Sequence, residues 1–179
     1  MAWRGRTQFA SLGLAVLLLS GCASREAAAP SAPTAVRTLP VVTALAPAIY
    51  MQVAASSALF AVRASELAAE RSADPRLRDV ARSIAQDQRG IGSQLNFAGR
   101  RLDLLPGAAM TPEQAADLER LRNAGQVDAL YRQMMDPVLA RALQAHSAFA
   151  ARGASPTLRP VARMAAPATR RNLELLRRR

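Results

Sequence analysis

The chain contains a single cysteine, Cys22, so no internal disulfide can form and the fold has to rest on packing. Lysine is missing altogether: all 24 basic residues are arginine, set against 13 acids for a formal charge of +11. An Ala- and Arg-biased composition accounts for that absence, and no function is read from it. Histidine occurs once, at His146. This leaves no paired-histidine motif and no Ser or Cys nucleophile beside an imidazole, and a Gly-rich phosphate loop is also lacking. The chain is therefore expected to be non-enzymatic and without a cofactor. Aromatic residues make up only 4% of it, too few for the base stacking of nucleic-acid binding despite the basic charge. No apolar run reaches the roughly 20 residues that span a bilayer.

What is present begins with an address. MAWRGRTQFASLGLAVLLLSGC carries Arg4 and Arg6, an apolar run from Phe9 to Leu19, and then Leu19-Ser20-Gly21-Cys22. This resembles a bacterial lipoprotein signal peptide with its lipobox. The resemblance implies cleavage before Cys22 and lipidation of that residue, with acyl chains such as palmitate holding the mature protein to a membrane. Ala23 and Ser24 follow where an Asp would retain a Gram-negative lipoprotein at the inner membrane. The expected location is the cell envelope, on the outer membrane and facing the periplasm. Export also removes nucleic acid as a partner. Loss of Arg4 and Arg6 leaves 22 arginines against 13 acids.

The expected organisation is a signal peptide at 1–21, a lipidated flexible tether at 22–46 and one helical domain at 47–179. The tether, ASREAAAPSAPTAVRTLPVVTALA, is rich in Ala, Pro and Ser. Pro30, Pro33 and Pro40 each remove a backbone donor. With about half its residues hydrophobic, the remainder is long enough for one core and too short for two.

Four amphipathic helices and one short one follow from periodicity. Ile49, Val53, Ser57, Phe60, Ala64 and Leu67 mark the inner face of the first. Asp74 and Pro75 cap and open the second, whose seam runs through Leu77, Val80, Ala81, Ile84, Ile91, Leu95, Ala98 and Leu102, with Gln88 the one polar interruption. Thr111-Pro112-Glu113-Gln114 has the form of a capping box and starts a short helix to about Asn123. A long helix from about Gln126 to Arg152 turns Val127, Tyr131, Met134, Val138, Ala142, Ala145 and Phe149 inward, with Pro137 expected to kink it. The last helix buries Leu158, Val161, Ala165, Thr169 and Leu176. Met110, Met134, Met135 and Met164 read as core filling.

Two of the helix starts read almost alike. ADPRLRDVARSIA at 73–85 and ASPTLRPVARMAA at 154–166 share Ala, Pro, Leu, Arg, Val, Ala, Arg and Ala in register. Each copy opens the returning helix of a hairpin, which implies a duplicated hairpin and an all-α, four-helix bundle made of two hairpins with a short crossing helix between them.

From about Tyr50 to Leu176 the chain resembles a bacterial family of exported proteins of unknown function with a ferritin-like fold, often labelled putative outer membrane protein or lipoprotein. The likeness is carried by AASSALFAVRASELAAERSADPRLRDVARSIAQDQ, by VDALYRQMM and by the last helix with Pro167. It implies a ferritin-like four-helix bundle. It also implies inward Glu and His positions that in this chain hold Ala61, Gln88 after Asp87, Leu139 and Asn172, so the imidazoles are absent. Glu66, Asp87, Asp128 and Glu174 remain, and each reads as a solvated charge near arginine. No metal site is expected.

Three candidate contacts remain. His146 falls at the edge of its helix's apolar face and reads as structural. Gln88 reads as a buried hydrogen bond across the helices. Arg170, Arg171, Arg177, Arg178 and Arg179 could engage anionic lipid or lipopolysaccharide, because guanidinium forks match phosphate. The expected function is a membrane-anchored structural or interaction module, its partners the membrane through the N-terminal lipid and either anionic lipid or another envelope protein. The alternative is a ferritin-like metal-binding or redox protein. Oligomeric state is not readable.

Overall fold

The computed structural model describes residues 45–104 and 109–178; Cys22, most of the segment read as a tether, and Arg179 lie outside them. The described residues form five helices and no strand: α1 Pro47–Arg71, α2 Pro75–Arg100, α3 Pro112–Asn123, α4 Val127–Arg152 and α5 Leu158–Arg177.

Their ends are set by local chemistry. Proline stands at the start of α1, α2 and α3, where its missing N–H costs no helical hydrogen bond. Asp74 accepts from the Arg76 amide at 2.9 Å and caps α2. Thr111 and Gln114 form the reciprocal capping box of α3, with Gln114 N–H donating to Thr111 Oγ1 at 3.2 Å and Thr111 N–H to Gln114 Oε1 at 2.9 Å. Ser155 Oγ accepts from the Leu158 amide at 3.3 Å. The Ser-Pro start is thus present, but Pro156 and Thr157 form a turn ahead of α5. Helix α4 runs on through Pro137.

Helix α1 packs on α2 and α4 on α5 as hairpins. Between the hairpins, α1 lies along α4 and α2 along α5. Helix α2 ends beside the start of α1, where Gly99 faces the Met51 side chain. Helix α4 begins beside the end of α1, so residues 101–126 must travel the length of the assembly. Within that connection α3 rests on α1 and α4. Arg71 fastens it: the guanidinium donates to the carbonyls of Leu121 at 3.1 Å, Ala124 at 2.7 Å and Arg122. A cation on the last carbonyls of a helix also meets the negative end of its dipole.

The core has two parts. Phe60, Leu77, Ile84, Leu121, Tyr131 and Met135 fill one. Met51, Ile91, Leu95, Phe149 and Leu158 fill the other, towards the start of α1. On α1 the expected inner face holds at Ser57, Phe60 and Ala64, which are buried, and fails at Ile49, which is 67% exposed; Tyr50, Met51, Ala54, Ala61 and Ala68 are buried as well. Alanines give little hydropathy contrast, so in an Ala-rich helix the larger side chains misplace the stripe. Met164, expected in the core, is exposed.

The correspondence between the hairpins extends beyond the two quoted segments. Ala73 and Ala154 are 81 residues apart, and the same offset pairs Leu77 with Leu158, Ala81 with Ala162 and Ile84 with Ala165, all fully buried. It also pairs Tyr50 with Tyr131 and Ser65 with His146. The Tyr50 hydroxyl lies 3.0 Å from His146 Nδ1, and the Tyr131 hydroxyl lies 2.8 Å from Ser65 Oγ. Each hairpin thus gives a tyrosine to the corresponding position of the other, as a two-fold arrangement requires.

Candidate functional site

The first candidate is the group around His146. Sequence placed this residue at the rim of its face; it is in fact buried, at 1% exposure. Helix α4 presents His146 and Phe149 on one side of a turn, and Tyr50 from α1 stacks on Phe149 with ring centroids 4.1 Å apart. Burial pushes the imidazole pKa down to about 4 and the Tyr50 phenol up. At neutral pH the ring is uncharged, and its tautomer sets which of Nδ1 and the Tyr50 hydroxyl donates. This arrangement locks two helices together. Tyr50 also borders an open groove with Ile49, Val53, Arg141 and Ala145.

The second candidate is the set of buried polar side chains on α2 and α5 at about one height. Gln88 is buried, along with Thr169 and Asn172 one turn apart on α5. The contact between Arg171 and Asp87 at 3.7 Å sets the two helices at that height. Gln88 Nε2, Thr169 Oγ1 and both side-chain polar atoms of Asn172 have no protein partner. The expected hydrogen bond from Gln88 across the helices is therefore not made by its nitrogen. Each such orphan costs about 1–3 kcal/mol. Thr169 stands 81 residues after Gln88, so corresponding positions of the two hairpins both hold a buried polar group.

Ala61 and Leu139, the other positions singled out by the family likeness, are also buried. A ferritin-like di-iron centre needs about four carboxylates and two imidazoles. Two amides, a hydroxyl and two apolar side chains do not fit that group. Among the described residues, no three His, Cys, Asp or Glu side chains gather where they could hold a metal ion. Neutral donors and acceptors of this kind suit an uncharged hydrogen-bonding guest such as water.

The third candidate is the arginine-rich end of α5. Arg177 holds Asp136 with both arms, Nε at 2.7 Å and Nη2 at 2.8 Å, which keeps the Asp136 carboxyl below the usual carboxylate range. Arg171 is occupied by Asp87. Arg170 and Arg178 are exposed, and Arg178 joins Arg132 and Arg177 around a shallow groove. Of the carboxylates read as solvated, Glu66 meets Arg63 at 3.4 Å and Arg89 at 2.6 Å, whereas Asp128 has one buried oxygen without a partner.

Sequence reasoning passed over one exposed pair. The Arg101 guanidinium lies 5.6 Å from the centre of the Phe97 ring. The spacing of four residues on one helix face was the available signal.

No curated protein and no solved structure matches the chain. Residues 31–178 match the family DUF4142, described as a domain of unknown function, and the chain belongs to that family.

Proposed function

We propose that this protein is a lipoprotein of the bacterial envelope, acylated at Cys22, whose helical body acts as a non-enzymatic structural or interaction module at the periplasmic face of the outer membrane. The observation that carries the reading is the position of the only cysteine, at the end of Leu19-Ser20-Gly21-Cys22 and behind an apolar run too short to span. We assign the body to the ferritin-like four-helix bundles because its one long connection, between the second and third long helices, is the feature that distinguishes them. The neutral side chains at Gln88, Thr169 and Asn172 speak against a metal or redox role.

A second reading, binding of anionic lipid through the arginines of α5, draws support from the exposure of Arg170 and Arg178. It is weakened by the carboxylates already on Arg171 and Arg177.

Radiolabelled palmitate given to a Gram-negative host tests the reading. The protein is expected to take up label and sediment with outer membranes, and Cys22→Ser is expected to abolish both. An unlabelled wild-type protein released by osmotic shock would overturn the proposal.

A further inference from the structure

Surface character is divided unevenly between the two ends of the helical body. The end at which the chain enters, at Leu45, is built from residues 45–53, 94–104 and 146–164. All the large hydrophobic side chains that stand exposed among the described residues belong to it: Leu45, Ile49, Phe97 and Met164. Ile49 is in the first turn of α1, Phe97 in the last turn of α2 and Met164 in the second turn of α5, so three helices contribute.

Charge is divided in the same way. These segments carry Arg100, Arg101, Arg152, Arg159 and Arg163, all exposed, and one acid, Asp103. Every ion pair found among the described residues lies elsewhere, on pairs such as Arg177–Asp136, Arg132–Asp74 and Arg82–Asp79. The arginines of the entry end have no carboxylate within 4.0 Å among the described residues. Arg101 leans over the Phe97 ring instead. A cation on the face of an aromatic ring, with aliphatic neighbours, suits the boundary between headgroups and acyl chains.

We infer that this end of the body, which carries Ile49, Phe97 and Met164 on three helices and Arg100, Arg101, Arg159 and Arg163 near the ends of two of them, docks on the surface of an anionic phospholipid bilayer. The occupant follows from two observations. The unpaired guanidinium groups complement phosphate, and the apolar side chains among them have depth to enter only where a headgroup layer meets hydrocarbon. The chain also leaves the body at this end, so a lipid at Cys22 would bring this surface to the membrane first. The inference rests on the lipoprotein reading above for that proximity, and it assigns the lipid contact to the opposite end from Arg170, Arg171, Arg177 and Arg178. Docking would lay the body against the bilayer instead of leaving it to swing on its tether.

Depth-dependent quenching tests this with the acylated, full-length protein. A nitrobenzoxadiazole label is placed on Ala48→Cys or Gln94→Cys at the entry end, or on Ala73→Cys at the far end; all three positions are exposed. Acylation blocks Cys22, so only the new thiol reacts. Vesicles of phosphatidylglycerol and phosphatidylethanolamine carry a nitroxide on the acyl chain. Emission from Ala48→Cys and Gln94→Cys is expected to fall at least by half, and that from Ala73→Cys to stay unchanged. The quenching is expected to fade in phosphatidylcholine vesicles and with added salt. Ile49→Ser, Phe97→Ser, Arg100→Gln and Arg101→Gln together should abolish it while the circular dichroism and the vesicle attachment through the lipid persist.

Attachment without quenching at either entry-end label would overturn the inference and leave the lipoprotein reading intact. So would quenching at Ala73→Cys in place of the other two. If the entry-end labels are shielded only in whole envelopes and not in vesicles, the surface belongs to a protein partner and the inference also fails. Absence of an acyl chain on the wild type, with entry-end quenching that persists in a Cys22→Ser background, would overturn the lipid anchor and uphold the docking surface.

Discussion

His146 shows how a single residue can set the acid limit of a fold. Its folded pKa is lowered to about 4 from an ordinary 6.5 because the imidazole is buried against Tyr50 and Phe149. A depressed folded value means that the unfolded chain binds the proton first. The contribution is therefore whole above pH 6.5 and is lost as pH falls towards 4. The difference amounts to something on the order of 3 kcal/mol. Urea titrations over this range should show wild-type stability dropping as the medium is acidified, and His146→Phe should flatten that part of the profile. An unchanged slope in the variant would place the acid sensitivity elsewhere. At this scale the sequence is only partly informative. That His146 is structural could be read from the absence of any partner for chemistry, but its depth could not, since the next inward residues are alanines and a neutral imidazole is compatible with either side of the boundary. Gln88 could be placed in the seam by its period. That its amide nitrogen would go unpaired depends on the side chains that neighbouring helices bring to it, which one helix cannot report.

Among the elements, α2 was the most legible because large residues carry its period and Asp74-Pro75 marks its start. Of its eight other seam positions Leu77, Ala81, Ile84, Ile91, Leu95 and Ala98 are buried and Val80 and Leu102 half-buried, whereas α1, built on Ala54, Ala58, Ala61, Ala64 and Ala68, offered little contrast and its face was misjudged at Ile49. The glycines of α2 divide by the same logic of neighbours. A Cβ on Gly90 or Gly92 would meet nothing within 4 Å, so Gly90→Ala and Gly92→Ala should each raise stability by about 1 kcal/mol through helix propensity alone. At Gly99 the added atom would lie 2.8 Å from the Leu104 carbonyl oxygen and 2.8 Å from the end of Met51. Gly99→Ala should therefore destabilise, with the midpoint of urea unfolding moving down where the other two move it up. The carbonyl of Gly99 already accepts the amides of Leu102 and Leu104, which close the helix, and Asp103 takes a positive φ of 51° to make that turn.

For the molecule as a whole, the repeated start at 73–85 and 154–166 foretold two related hairpins, but the way they interlock needed coordinates. Tyr50 and Tyr131 stand at equivalent positions and cross in opposite directions, one to His146 and the other to Ser65. They are separated along the assembly by about the length of α1 between residues 50 and 65, roughly 22 Å at 1.5 Å per residue. Tyr50→Phe and Tyr131→Phe should each cost about 1 kcal/mol, and the double variant should cost the sum, because sites so far apart do not share partners. Denaturation of the two single variants and the double would check this, and marked non-additivity would show that the two-fold halves communicate through the core.

One small junction governs how the body answers to mechanical tension. Leu45 bonds through its amide to the Arg152 carbonyl and through its carbonyl to the Ala154 amide, both at 3.2 Å, forming a lone parallel bridge to Gly153. A pull arriving along the chain ahead of Leu45 is thus delivered at once to α1 and to the corner joining α4 with α5. Both halves take up the load together, and stretching must rupture that bridge before it can peel α1 away from its neighbours.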